Sequence, residues 1–420
     1  MSIIMGSRSR VFLFFVIATC ELSGCGPNLA PLQRAVHGQR WNDAAQLTEK
    51  DSSLITHFAA MIIEEEALQN EQPKPWILLL RPDTDAGLAA LERIAAKGTS
   101  PASVQMAQII LDRHRENSPN DIPDDWKKND GNVRSLFATS FAHNLPTDQL
   151  LQLLTDINAT VRSASIAALC RRSLTTDESS QVAERLRTDP VPHVRAAAAR
   201  CAKALQPDAL SLLADAIYAE KNDGVVDAAL EGMLRLGTAD AVLFLHHYME
   251  GPMTVRKVFA AALLSERSFP TAQNRLTDAL NDHSETVRIA AIRALQRTSL
   301  PTQRKYLTAA LTRSGQEAFA AAAVMLQKNI ETEKAVALLK KYFSEDLLAP
   351  MPMITLARRG DAYALTRLSA ALQDPVFLVA HASKLRGLSA LRESIVPLLT
   401  HTELEVRLAA AEWVLFSVAE

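Results

Sequence analysis

"DHSETVRIAAIRAL", residues 282–295, is a phrase this chain repeats. It returns as "DINATVRSASIAAL" at 156–169, "DPVPHVRAAAARCA" at 189–202 and "HTELEVRLAAAEWV" at 401–414. Aligned on the Val of Val-Arg, the copies fall at Val133, Val161, Val194, Val255, Val287 and Val406. Weaker copies sit at Val226 (followed by Asp227), near Ala318, near Met351 and at Val379. The mean spacing from Val133 to Val406 is about 30 residues, and a period of that size with two helical patterns per unit marks a solenoid.

Within each unit the second helix carries apolar residues at +3, +4, +7 and +8 from the Val, one face of a helix with 3.6 residues per turn. After Val287 these are Ala290, Ala291, Ala294 and Leu295; after Val406 they are Ala409, Ala410, Trp413 and Val414. Alanine lets neighbouring helices approach closely. The acid about five residues before the Val (Asp156, Asp189, Asp282) is placed to accept backbone N–H groups where the helix starts. First helices are predicted over 208–220, 238–250, 270–282, 301–313 and 331–343, with Pro207, Pro270 and Pro301 at or just before starts.

Composition agrees with packed helices. Of the 420 residues, 48% are hydrophobic but only 5% aromatic, and there are 14 glycines, which favours a core of Ala, Leu, Val and Ile. The charge of −2, from 45 basic and 47 acidic residues, lacks the basic surplus of a nucleic-acid binder.

The phrase D-x-x-x-x-V-R-x-x-A-A-x-A-L resembles the HEAT-repeat family, in the short bacterial form first noted in phycobiliprotein lyases, over roughly 129–420. The resemblance implies an all-α, right-handed α-solenoid of helical hairpins, about ten units long. It also implies that the arginine after each Val pairs with the Asp of an adjacent repeat, making a structural ladder of Arg134, Arg162, Arg195, Arg256, Arg288 and Arg407. Asp227, Ala380 and the region of Met351 depart from the pattern, so gaps are expected there. Residues 32–117 are predicted to form divergent helical hairpins that cap the N-terminal end of the array, with 118–128 as a linker.

The start of the chain has another character. Arg8 and Arg10 precede an apolar run, 11–19, too short to cross a bilayer. Then comes Leu22-Ser23-Gly24-Cys25, which resembles the lipobox of bacterial lipoprotein signal peptides. That resemblance implies cleavage after residue 24, lipidation of Cys25 and a tether at 25–31; removing Arg8, Arg10 and Glu21 shifts the net charge from −2 to −3. Gly26 rather than Asp after the cysteine implies outer-membrane sorting, facing the periplasm. Two acyl chains suffice for stable anchoring.

No Gly-rich phosphate loop, C-x-x-C, H-E-x-x-H or G-x-S-x-G occurs. His246 and His247 point about 100° apart on a helix and make a poor metal pair. Cys170 at +9 from Val161 and Cys201 at +7 from Val194 are expected to point in different directions and to stay as two thiols. Trp41, Trp76 and Trp126 all lie in the N-terminal part and are read as hairpin core or loop anchors. The expected function is non-catalytic, without metal or cofactor: a monomeric scaffold binding another protein, held on a membrane by its lipid, with no nucleic-acid partner. The alternatives are a lyase- or chaperone-type enzyme cradling a tetrapyrrole or other small ligand, and a purely structural envelope protein.

Overall fold

A computed structural model of the chain describes residues 28–417 apart from 70–74, 118, 120, 124–125, 301, 314 and 345–349. The signal segment, Leu22, Ser23, Gly24 and Cys25 lie outside the described residues. Helices account for the secondary structure of the described residues, and no strand occurs among them. The fold is an all-α, HEAT-like solenoid.

The N-terminal region begins with α1 (Ala30–His37), α2 (Trp41–Lys50) and α3 (Ile55–Gln69), followed by α4 (Asp85–Lys97) and α5 (Pro101–His114). Gln39 takes a positive φ of 52° and separates α1 from α2, so this start of the predicted hairpins holds three helices. The array continues with α6 (Gly131–Phe141), α7 (Thr147–Leu153), α8 (Ala159–Leu169) and α9 (Thr176–Thr188). Next come α10 (Pro192–Arg200), α11 (Ala209–Ala219), α12 (Asp223–Leu236), α13 (Ala239–Tyr248) and α14 (Val255–Ser265). Then follow α15 (Pro270–Leu280), α16 (Glu285–Ala294), α17 (Gln303–Ala310), α18 (Gly315–Gln327) and α19 (Thr332–Ser344). The last are α20 (Pro350–Arg358), α21 (Ala362–Ala371), α22 (Pro375–Leu385), the short α23 (Arg392–Ile395) and α24 (Leu404–Ser417).

Caps set the starts. Thr175 and Glu178 form a reciprocal capping box on α9, and Asn158, Asn222, Thr238 and Thr254 each cap a helix through a side-chain oxygen. Asp156, Asp189 and Asp282 accept the N–H two residues on, at 2.8, 3.0 and 2.8 Å, which turns the chain into the next helix.

The second helices stack side by side, α6 on α8, α8 on α10, then α12, α14, α16 and α18 in order. Their buried surface is wider than a single stripe. Along α16, Val287, Ile289, Ala291 and Ile292 are buried while Ala290 and Ala294 are only partly so. Each second helix meets its own first helix and both neighbours in the row, so burial extends round most of its circumference. Close approach is tightest at Gly232: a Cβ there would stand 2.2 Å from the carbonyl oxygen of Ala199, so α12 rests directly on α10.

The row closes on itself. From α18 it passes through α19 to α20, where Arg359 donates to the carbonyl of Leu326 at 2.7 Å and to Asn329 at 2.5 Å. It goes on through α22 to α24, and α24 packs along α3. The region expected to cap only the N-terminal end therefore packs at both ends of the array, α5 against α6 and α3 against α24. Residues that an end helix would show to water are covered: Leu408, Ala411, Trp413, Val414 and Leu415 of α24 are all buried. The described chain is a closed ring of hairpins.

Candidate functional site

The arginines after each Val lie along the seams between units. Arg162 forks onto Asp189 with hydrogen bonds of 2.7 and 2.8 Å, and its other nitrogen donates to the carbonyls of Asp156 and Ile157. Arg134 pairs with Asp156 at 3.1 Å, Arg195 with Glu220 at 2.8 Å and Arg288 with Glu317 at 2.9 Å. Each of these four also donates to a carbonyl in the loop before its own helix. One guanidinium thus fixes a loop and joins two repeats, which suits its planar set of donors. Burial works to raise the carboxyls of Asp189 and Glu317. The arginine hydrogen bonds and charges outweigh it and hold both below the ordinary carboxylate range.

Two of the six arginines behave differently. Arg407 donates to the carbonyls of His401 and Thr402, but its guanidinium lies over the Trp41 ring, 4.7 Å from the centroid. Burial lowers its pKa, with the Glu66 charge opposing. This stacking crosses the ring closure, as does Arg81 over Phe416 at 5.4 Å; Arg386 lies 3.7 Å from the same ring. Trp41 is partly buried and also stacks on Phe58.

Arg256 turns backward. It pairs with Asp223 at 2.7 Å and donates to the carbonyls of Glu220 and Lys221, 36 and 35 residues before it. The cause is Asp227, which occupies the place of an arginine on α12 and cannot serve those carbonyls. The departure at Asp227 is therefore a reversal of the ladder, filled from the following helix. Asp227 itself has no hydrogen bond or ion pair among the described residues. Desolvation, with Asp223 and Glu231 beside it, pushes its carboxyl up to about 6. Near it, Tyr218, Phe244 and Tyr248 form an aromatic group with centroids 5.8, 5.8 and 6.3 Å apart. The sequence reading missed this group because its members come from the variable first helices, α11 and α13.

The cysteines require a correction. Cys170 and Cys201 are disulfide-bonded, with Cα atoms 5.1 Å apart. Both cysteines are C-caps, and counting helical angles from the two Val residues fails at Cys201, whose φ of −85° and ψ of 32° have left the helix. Helix α10 ends two residues earlier than α8 relative to its Val, which offsets the difference between +9 and +7. The bridge ties adjacent second helices across a 31-residue separation.

Elsewhere, His247 contacts Glu250 at 3.0 Å and His246 meets the edge of Phe269. Among the described residues no group of three or more His, Cys, Asp or Glu gathers as metal ligands would. A cleft of about 730 Å³ opens beside Trp126, with Gln105, Gln108, Asp112, Phe137 and Phe141 in its wall. Trp126 is buried and donates from Nε1 to Asp156 at 3.1 Å, so it anchors the segment before α6. No described helix is long and apolar enough to cross a membrane.

Residues 243–327, spanning α13 to α18, match the family model described as HEAT repeats. These residues carry HEAT repeats. The match covers about a fifth of the 420 residues, and the same hairpin architecture extends on either side of it. No curated protein matches the sequence.

Proposed function

We propose that this HEAT-repeat protein is a lipid-anchored, non-catalytic scaffold of a bacterial cell envelope, which binds another protein while Cys25 holds it on a membrane. The observation that carries the scaffold reading is the closed row of repeats. The two ends of the row cover each other, and its charged pairs are tied between repeats, which leaves a rigid frame presenting loops and helix faces for recognition. HEAT repeats commonly serve as protein-interaction scaffolds. Two features support the envelope: the Leu22-Ser23-Gly24-Cys25 phrase after a short apolar run, and the Cys170–Cys201 disulfide, a bond that persists in oxidising compartments. Gly26 after the cysteine favours the outer membrane, facing the periplasm. The scaffold reading takes the protein as a monomer in itself and without cofactor.

The test has two parts. The intact mass of the N-terminal peptide from membrane-fractionated protein should show a chain starting at Cys25 with acyl mass, absent in a Cys25→Ser control. Crosslinking in membranes followed by pull-down with the anchor intact should recover a defined stoichiometric protein. An unmodified N-terminus sinks the anchor, and recovery of peptidoglycan or lipid alone replaces the scaffold with a structural envelope role. The cleft beside Trp126 is where a small ligand would sit under the enzyme-like alternative, and visible absorbance of the purified protein would reveal a bound tetrapyrrole.

A further inference from the structure

The reversal of the ladder at α12 leaves a place that the other rungs fill. Arg134, Arg162, Arg195 and Arg288 each put a guanidinium on an acid of the adjacent unit. On α12 the corresponding residue is Asp227, and the acid five before Val255 is Glu250, so carboxylates stand at both positions where an arginine and its partner would be. Arg256, the nearest cation along the row, is committed backward to Asp223 and two carbonyls. Arg200, from α10, is committed to Glu231 at 3.0 Å. The charges around Asp227 are Asp223 and Glu231 on its own helix, Arg256 on α14 and Arg200 on α10. With each arginine held by one acid, Asp227 is the carboxylate left over.

The surroundings of this carboxylate suit a protein surface. Tyr218 is 68% exposed, and its ring meets Phe244 and Tyr248 edge-on, both at 5.8 Å. Tyr248 lies close enough for the Asp227 and Arg256 charges to act on its hydroxyl. Leu243 and Val255, beside Phe244 and Arg256 in sequence, are 54% and 51% exposed. An exposed tyrosine ring, backed by the partly buried Phe244 and the buried Tyr248 and bordered by a carboxylate that lacks a counter-ion, matches the flat, cationic, polarisable guanidinium. It pairs with a carboxylate and packs on aromatic faces, and it gives up water more readily than an ammonium group.

We propose that Asp227, Tyr218, Phe244 and Tyr248 form a docking site for an arginine of a partner protein, flanked by apolar residues, which completes the ladder from outside. This rests on the scaffold reading and names its contact point. The position fits a tethered scaffold. Counted along the row of second helices, α12 lies about half a circuit from the α3–α24 closure, and α1, which follows Cys25 by five residues, packs on α3. The docking site thus lies about half the row away from α1, the described helix nearest to Cys25 in sequence.

The experiment uses the purified full chain and the probe peptide acetyl-Leu-Arg-Leu-amide, followed by saturation-transfer NMR and titration at pH 7.5. The expected result is saturation transfer to the arginine side-chain protons. Affinity should fall at least tenfold when citrulline replaces the arginine, and likewise in Asp227→Asn and Tyr218→Ala. Binding should also weaken as the pH drops through about 6, as the Asp227 carboxyl takes up its proton. Equal binding by Asp227→Asn, or equal binding of the citrulline peptide, overturns the proposal, as does no binding up to 10 mM of peptide, roughly the weak limit for one desolvated charged contact. Self-association of the chain that Asp227→Asn abolishes would give the surface to a second copy and overturn the assignment to a different protein. Failure of the peptide leaves the scaffold reading to its own pull-down test, so the two can fail separately.

Discussion

Replacing Arg162 with Met should be among the most damaging single changes in the array, and its effect should depend on pH. The arginine side chain is 8% exposed and its partner Asp189 has none of its side chain exposed. Removing the guanidinium leaves a buried carboxylate with the Val191 N–H and, at 3.9 Å, the Arg185 side chain. It also strips the carbonyls of Asp156 and Ile157 of their donor. Breaking a buried pair from one side costs about 3–5 kcal/mol, and Arg185 can move in to relieve part of it, so about 3 kcal/mol is expected at pH 7.

The sign with pH follows from the titration of Asp189. In the native protein its pKa is lowered, so the pair's stabilisation is present above the unfolded value and is lost as the pH falls through the folded one. Without Arg162, burial dominates and raises the carboxyl instead. The variant is then penalised at neutral pH and recovers as the pH falls, so the gap between it and the native protein should narrow from pH 7 to pH 4.5. Urea unfolding followed by circular dichroism gives the gap, and hydrogen exchange of peptides from α8 and α10 locates it. Arg162→Met with Asp189→Asn should be at least about 1 kcal/mol less destabilised than the two single changes summed, because no buried charge is left alone. A loss below about 1 kcal/mol that does not shrink on acidification would place the pair among weak surface pairs and refute the reasoning.

Gly232→Ala sets a Cβ 2.2 Å from the Ala199 carbonyl oxygen and should cost about 1–3 kcal/mol by forcing α12 off α10, read as a lowered Tm. Trp413→Ala removes a fully buried ring that donates to the Leu385 carbonyl at 2.9 Å, and should cost about 3–5 kcal/mol with early exchange of α3 and α24 together. Cys170→Ser should lower stability by about 3–4 kcal/mol for a closed loop of 31 residues, an effect that a reducing agent reproduces in the native protein. Asp227→Asn should stabilise the protein at pH 7 by about 1 kcal/mol, after allowing for partial exposure. The gain should vanish near pH 4, because the native carboxyl titrates near 6 and its penalty appears only as the pH rises through the interval between the unfolded and folded values.

The repeat was legible because its signal lies in residues that every unit needs: Val for the row, Ala for close approach, Asp for the turn. What escaped depends on distance along the chain. The contact of α3 with α24 joins residues more than 300 apart, and periodicity carries no information about where a row ends. A signal for it was nonetheless present. "LEVRLAAAEWVLFS" has apolar residues around the whole helix, whereas an array's last helix needs a polar outer face. The pairing of Cys170 with Cys201 escaped for a local reason, since helical angles stop applying at Cys201. At the site, the repeat named the arginines and the Asp that Arg134 and Arg162 reach, but Arg195 and Arg288 reach Glu220 and Glu317 instead. Arg256 turns back because of Asp227, one unit earlier, and such compensation needs three dimensions to be read.

Closure changes what the interruptions at Asp227, Ala380 and near Met351 mean. In an open array each weak interface is a place where the chain can part, because stability there is a sum of neighbouring terms and the ends are free to fray. In a ring every unit is held from two sides, so one weak interface cannot open unless a second opens too. Loss of a regular rung at α12 is therefore cheap here in a way it would not be in an open solenoid, and the position is free to carry a group selected for something other than packing. A carboxylate without a partner, raised by burial beside an exposed tyrosine, is such a group. Its cost to the fold is tolerated by the ring, and that tolerance is the physical reason to look for its use at the surface.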